Sequence, residues 1–256
     1  MYYYITFKMY AILIVIALLL LAYYYRQNER ITEACLRPQV FIIDSGKPGP
    51  CLGILASVHG NEPAGAYTLT KMIKNKELKP KTGKLIIIPE GNPCGIMQNT
   101  RENPYSQLDI NRQFSEEGGN DETSQIIVNT FKNCDIILDF HEGWSFHLET
   151  KASRNPFQQI SVGSTITPGE HKIWETLAPK IVEELNITIK EPLKKWSIIW
   201  GASCKIASSF NCYAHLNNRP YLLIETSGQE DIQPLEVREK QIRTILRVII
   251  DNVMRE

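Results

Sequence analysis

From Gln39 onward, short apolar runs alternate with segments whose apolar residues recur at helical spacing, the rhythm of an α/β chain. The candidate strands are 40–44 (VFIID), 52–57 (LGILAS), 84–89 (KLIIIP), 135–140 (DIILDF) and 221–226 (YLLIET). Several are continuously apolar, as strands covered on both faces of a mostly parallel sheet are. Helices are expected over 63–74, 121–132, 168–185 and 234–254. The first and third open on a proline, which suits a first helical turn. In the last, Leu235, Val237, Ile242, Ile245, Leu246, Ile249 and Ile250 keep helical spacing and predict one face against the sheet. The pattern is least legible over 186–218, whose aromatics fit a pocket lining or a core equally well. The expectation is one globular α/β domain with a mixed, mostly parallel central sheet flanked by helices.

A different pattern precedes it. The run MYAILIVIALLLLAYYY, Met9 to Tyr25, carries no charge and lies between Lys8 and the pair Arg26 and Arg30. Its length is about the minimum for a membrane-spanning helix. Tyrosines crowd both ends, which suits two headgroup layers, and no small-residue cleavage pattern follows as a signal peptide would need. The expected organisation is therefore an N-terminal transmembrane helix with short flanks over 1–30, a linker over 31–38 and the α/β domain over 39–256. Positive charge on both sides of the run leaves the orientation open.

Charge narrows the partners: 28 Lys and Arg balance 28 Asp and Glu, so no net field draws the chain to nucleic acid. The six cysteines (Cys35, Cys51, Cys94, Cys134, Cys204, Cys212) form no C-x-x-C pair and read as free, mostly buried thiols. Asn186-Ile187-Thr188 is a glycosylation triplet that matters only in a lumen.

Candidate chemistry gathers where the apolar runs end, the place where open α/β sheets form their ligand crevice. His59 and Glu62 follow the second run within ASVHGNEPAG, three residues apart across a turn that Gly60 permits. By itself this is an ordinary polar turn. His141, just past the fourth run, adds a second imidazole, and two imidazoles with one carboxylate complete a catalytic zinc set with one position open. His147 is a rival third ligand. Between them, TRENPYSQLDINRQF supplies Arg101, suited to an oxyanion, and Asn111 with Arg112, suited as a fork for a substrate carboxylate. Glu225 closes the fifth run, where a carboxylate is costly unless it works, for example as a general base.

HGNEPAG, NPCGIMQNTRENPYSQLDINRQF, DFHEG and LLIETS, in this order, resemble the zinc carboxypeptidase superfamily and, within it, the succinylglutamate desuccinylase and aspartoacylase branch. The resemblance implies a zinc carboxypeptidase-like fold from about Val40 to the C-terminus, with one Zn2+ held by His59, Glu62 and His141. It further implies Glu225 as the general base, Arg101 polarising the scissile carbonyl, and Asn111 and Arg112 gripping a free carboxylate. Asp109 then orients the first histidine, and Tyr213 falls where carboxypeptidases often carry a mobile tyrosine. The implied substrate is a small molecule or peptide with a free carboxylate, cleaved at an amide bond. Only 31 residues follow Glu225, too few for the extra β-rich domain of aspartoacylases, so an open cleft admitting a peptide tail is expected. N-acyl amino acid deacylation is the alternative within the same chemistry, and a non-catalytic membrane-anchored binding protein the alternative outside it.

Overall fold

The computed structural model describes residues 12–26, 37–153, 155 and 157–255. Helix α1, residues 12–26, has every side chain exposed. No described helix is long and apolar enough to cross a membrane. This corrects the expected anchor as far as it is described; residues 1–11 and 27–36, which complete it and most of the linker, lie outside the described residues.

The remaining elements run β1 (Phe41–Asp44), β2 (Cys51–Ala56), α2 (Ala64–Lys74), β3 (Lys84–Ile88), α3 (Pro93–Gln98), β4 (Phe114–Ser115), β5 (Gly118–Gly119) and α4 (Glu122–Phe131). They continue through β6 (Ile136–Gly143), α5 (His147–Ala152), β7 (Thr165–Pro168), α6 (Ile173–Asn186), β8 (Ser197–Ile198), α7 (Phe210–Leu216), β9 (Tyr221–Ser227) and α8 (Leu235–Val253). Among the described residues, seven strands form one sheet in the order β1-β3-β2-β6-β9-β7-β8. The pairs β2–β3, β2–β6, β6–β9 and β7–β8 are parallel, while β1–β3 and β7–β9 are antiparallel. The mixed, mostly parallel sheet is as expected.

Apolar residues of both parities along β2 and β6 are buried because helices cover both faces. Leu52, Ile54, Leu138, Phe140, Leu222 and Ile224 pack under α2, α6 and α8. Leu55, Ile137 and Tyr221 pack with Phe131 of α4 and Phe210 of α7. Three expectations need correction. Pro168 ends β7 rather than opening a helix, and α6 begins at Ile173. The segment that was hard to read contributes β8 and α7. Not all cysteines are free: Cys204 and Cys212 form a disulfide and Cys94 is also disulfide-bonded, while Cys51 and Cys134 are free and buried. The Cys204–Cys212 pairing depends on how the loop before α7 folds back on that helix, which spacing in sequence does not report.

The turn after β2 approaches α3 with no room to spare. A Cβ on Gly60 would lie 1.8 Å from the carbonyl carbon of Gly95, which is backbone and cannot rotate away. Gly60→Ala is therefore expected to destabilise the fold by about 3 kcal/mol, measured by urea unfolding, the upper range for an overpacked site.

Candidate metal centre and active-site cleft

Ser57, at φ 53°, turns the chain away from β2. Its hydroxyl donates to the Glu62 carbonyl at 2.8 Å, and the Glu62 N–H donates to the His59 carbonyl. This closed turn brings His59 Nδ1 to 2.9 Å from Glu62 Oε1. The other imidazole comes from inside the sheet: β6 does not stop at Phe140 but runs through Gly143, so His141 is a strand residue. Its Nδ1 lies 2.9 Å from Glu62 Oε2 and 3.2 Å from His59 Nδ1.

All three side chains are buried, and their ligand atoms lie within 4.8 Å of one another. The spacings of 2.9 and 3.2 Å are near the roughly 3.3 Å that separates donors around a tetrahedral ion with bonds of about 2.0 Å. Behind each ring stands a carboxylate: Asp109 Oδ1 is 3.2 Å from His59 Nε2, and Asp139 Oδ2 is 3.2 Å from His141 Nε2. Asp139 also accepts from the Tyr221 hydroxyl at 2.5 Å. Such outer carboxylates fix the tautomer of a metal-binding imidazole. The donor set fits a divalent metal ion.

Electrostatics agree with the geometry. Burial opposes ionisation of Glu62, but His59 and His141 outweigh it and hold the carboxyl far below the usual range. Burial likewise disfavours a charged His141, and Asp139 and Glu62 reverse that, raising its pKa well above the usual value. Asp109 is held low by His59 and Arg101 despite its burial.

Glu225 sits on β9 directly opposite His141 on the parallel neighbour β6, on the same face of the sheet. It is half-buried at the cleft, and its desolvation there, with help from Glu62 and Asp139, pushes its pKa up to about 8 against the pull of His141 and Arg101. Arg101 reaches the site from the loop after α3. Its Nε and Nη2 lie 3.1 and 3.0 Å from Asp109 Oδ2, and its Nη1 is 3.6 Å from Glu62. Asp109 caps the short 3-10 turn Ile110–Arg112 by accepting the Asn111 N–H, so one carboxylate serves a histidine, an arginine and a turn. A cleft of about 310 Å³ opens over the cluster. Arg101, Asn111, Arg112 and Glu225 line it beside the two histidines, with Trp144 and Ile199 among its apolar walls.

Residues 48–159 match the family model of the succinylglutamate desuccinylase/aspartoacylase catalytic domain. The resemblance read from the motifs stands. This family hydrolyses C–N amide bonds, the enzyme class expected from the sequence. The segment contains His59, Glu62, Arg101, Asp109, Asn111, Arg112 and His141, while Glu225 lies beyond it. No curated protein matches the chain. Among solved structures, the tripeptide-bound cell shape determinant Csd4 of Helicobacter pylori is similar at a TM-score of 0.66 and 16% identity, over 85% of this chain and 55% of Csd4. An mDAP-bound form of Csd4, described as a D,L-carboxypeptidase, gives 0.64 and 17% over 80% and 51%. An aspartoacylase family protein from Mesorhizobium loti gives 0.55 and 21% over 86% and 62%. These likenesses are likenesses of fold, and the chain spans about half the length of the Csd4 structures.

Two expected residues are elsewhere. His147 donates from Nδ1 to the Ser161 carbonyl at the start of α5, away from the cluster, because the chain turns after Gly143. Tyr213 is stacked on Phe210 in the core and does not line the cleft; the aromatics that do are Trp144 and Tyr221. Sequence reasoning missed Asp139, Tyr221 and Glu142. For Asp139 a signal existed, since a carboxylate within an apolar strand two residues before His141 shares its face.

The sign of the Glu225 effect can be tested without metal. A carboxyl raised in the folded state is stabilising while protonated, and that contribution is lost as pH rises from the unfolded value of 4.5 through about 8. In chelator-treated protein, Glu225→Gln should remove this loss. Its stability relative to the parent, from urea unfolding, should rise between pH 5 and pH 8 by an amount on the order of a few kcal/mol. A difference flat with pH would contradict the raised pKa of this carboxyl.

Proposed function

We propose that this protein is a zinc-dependent hydrolase that cleaves an amide bond next to a free carboxylate, in the manner of a metallocarboxypeptidase. The observation that carries the reading is one cleft holding the buried His59–Glu62–His141 cluster, Glu225 opposite His141 and the Asn111–Arg112 pair. His59, Glu62 and His141 would hold the zinc ion, which would supply a Lewis acid and lower the pKa of a water molecule.

The chain's own groups supply the rest. Glu225, half-buried beside the cluster and lining the cleft, accepts a proton from the attacking water and delivers it to the leaving amine. Arg101, steadied by Asp109, faces the developing negative charge on the carbonyl oxygen. Asn111 uses its side-chain oxygen to accept the Phe210 N–H at 2.9 Å, which leaves its amide donors for a substrate. Arg112 forms no ion pair among the described residues and spends one N–H on the Asn111 carbonyl, so its guanidinium remains for a carboxylate.

The likeness to Csd4, solved with a tripeptide and with mDAP, supports a peptide bearing a terminal carboxylate. The family match supports the second reading, deacylation of a small N-acyl amino acid. Assaying C-terminal peptides and N-acyl amino acids with zinc-loaded protein separates the two. On whichever substrate is cleaved, chelation of the metal should abolish turnover and zinc should restore it, and Glu225→Gln should lower kcat by at least about a hundredfold. Turnover that survives both treatments contradicts the mechanism. Arg112→Ala is expected to raise KM for carboxylate-bearing substrates at least about tenfold while leaving kcat much less altered. Equal rates on the free acid and its amide in wild-type protein would instead remove the exopeptidase character.

A further inference from the structure

We propose that Gln229 is a positioning residue of the metal centre, holding Glu62 in the orientation that serves the ion; this rests on the metal-binding reading of His59, Glu62 and His141. Gln229 opens the short turn Gln229–Asp231 just after β9, outside residues 48–159 and outside every motif that carried the resemblance.

Its Nε2 donates to Glu62 Oε1 at 2.9 Å and also to the main-chain carbonyl of Glu142. Both neighbours only accept, so the amide can lie one way round; reversed, its oxygen would face two oxygens. The other oxygen of Glu62, Oε2, accepts the Glu142 N–H at 3.0 Å. Each carboxylate oxygen thus meets one N–H donor as well as one imidazole. The terminal torsion of a glutamate is otherwise broad, and two donors on two oxygens select one orientation of the plane.

The support behind Gln229 is itself anchored. His141 and Glu142, being consecutive on β6, point to opposite faces, so Glu142 sends its side chain under α2 and α8 while its main chain borders the cluster. There Glu142 Oε1 accepts the Ala64 N–H at 2.7 Å, and Oε2 pairs with the buried Arg238 of α8 at 2.5 Å. Arg238 also lies 3.4 Å from Asp231, the last residue of the Gln229 turn. Glu230 and Asp231 hold φ values of 58° and 55°, a backbone region that most side chains avoid, within this turn. One arginine therefore ties both the turn that carries Gln229 and the strand residue that it contacts to the same helix.

The test uses zinc alone as probe and needs no substrate. Gln229→Leu should bind zinc at least about tenfold more weakly in competition with a chromophoric chelator, the range for loss of an outer hydrogen bond to a ligand. The melting temperature of the metal-free variant should match that of metal-free wild type, while the rise in melting temperature on adding zinc should shrink. Gln229→Met, closer in length and without the donor, replaces the leucine variant if that one does not fold. Unchanged zinc affinity in a folded variant overturns the positioning role, whereas a wild type that takes up no zinc overturns the metal reading and this inference with it.

Discussion

Glu62 carries a charge that burial opposes, and the two imidazoles that flank it keep it ionised. Much of the site follows from that arrangement. To place one imidazole on each side, the turn after β2 must close tightly enough to return Glu62 beside His59, and β6 must present His141 from the adjacent strand. Each imidazole in turn needs a partner on its far nitrogen, and Asp109 and Asp139 fill that place from two different parts of the chain. A metal ion entering the cluster would take over from protons the task of balancing these carboxylates.

The sheet supplies the next step. Parallel pairing of β6 with β9 puts Glu225 opposite His141, so a carboxyl that is close to the metal cluster need not belong to it. Its surroundings are what set its character: the buried Glu62 is held ionised by the imidazoles, while the half-buried Glu225 is pushed toward its protonated form. Two carboxylates whose pKa values are driven apart by their neighbours are suited to two different tasks, ligand and base. The loop from α3 to β4 provides the cations and the carboxylate that steadies them: Asp109 anchors Arg101 while Arg112 is left for the cleft.

Much of this was legible in the chain. The five apolar runs became β1, β2, β3, β6 and β9, and three of the four expected helices lie within about a residue of their predicted ends, because hydrophobic period is a local property. The errors lie where local pattern does not decide. Pro168 suits a first helical turn and a strand end equally, and its pairing with Leu222 of β9 settled the matter. His147 carries the same side chain as His141, but only the path of the chain after Gly143 shows that it faces Ser161. The uncharged run near the N-terminus has the composition of a spanning helix, whereas among the described residues no helix is long and apolar enough to cross a membrane.

Sequence by itself determined which chemical groups this protein has and that they stand at the ends of buried strands, since residue type and hydrophobic alternation are written along the chain. Tertiary structure alone decided which groups meet: that His59 and His141, 82 positions apart, share Glu62, that Asp139 rather than a loop residue backs His141, and that Gln229 and Glu142 hold the carboxylate between them. The physical reason is that hydrogen bonds and charge compensation act over about 3 Å in space, and strand register, not distance along the chain, brings groups that close.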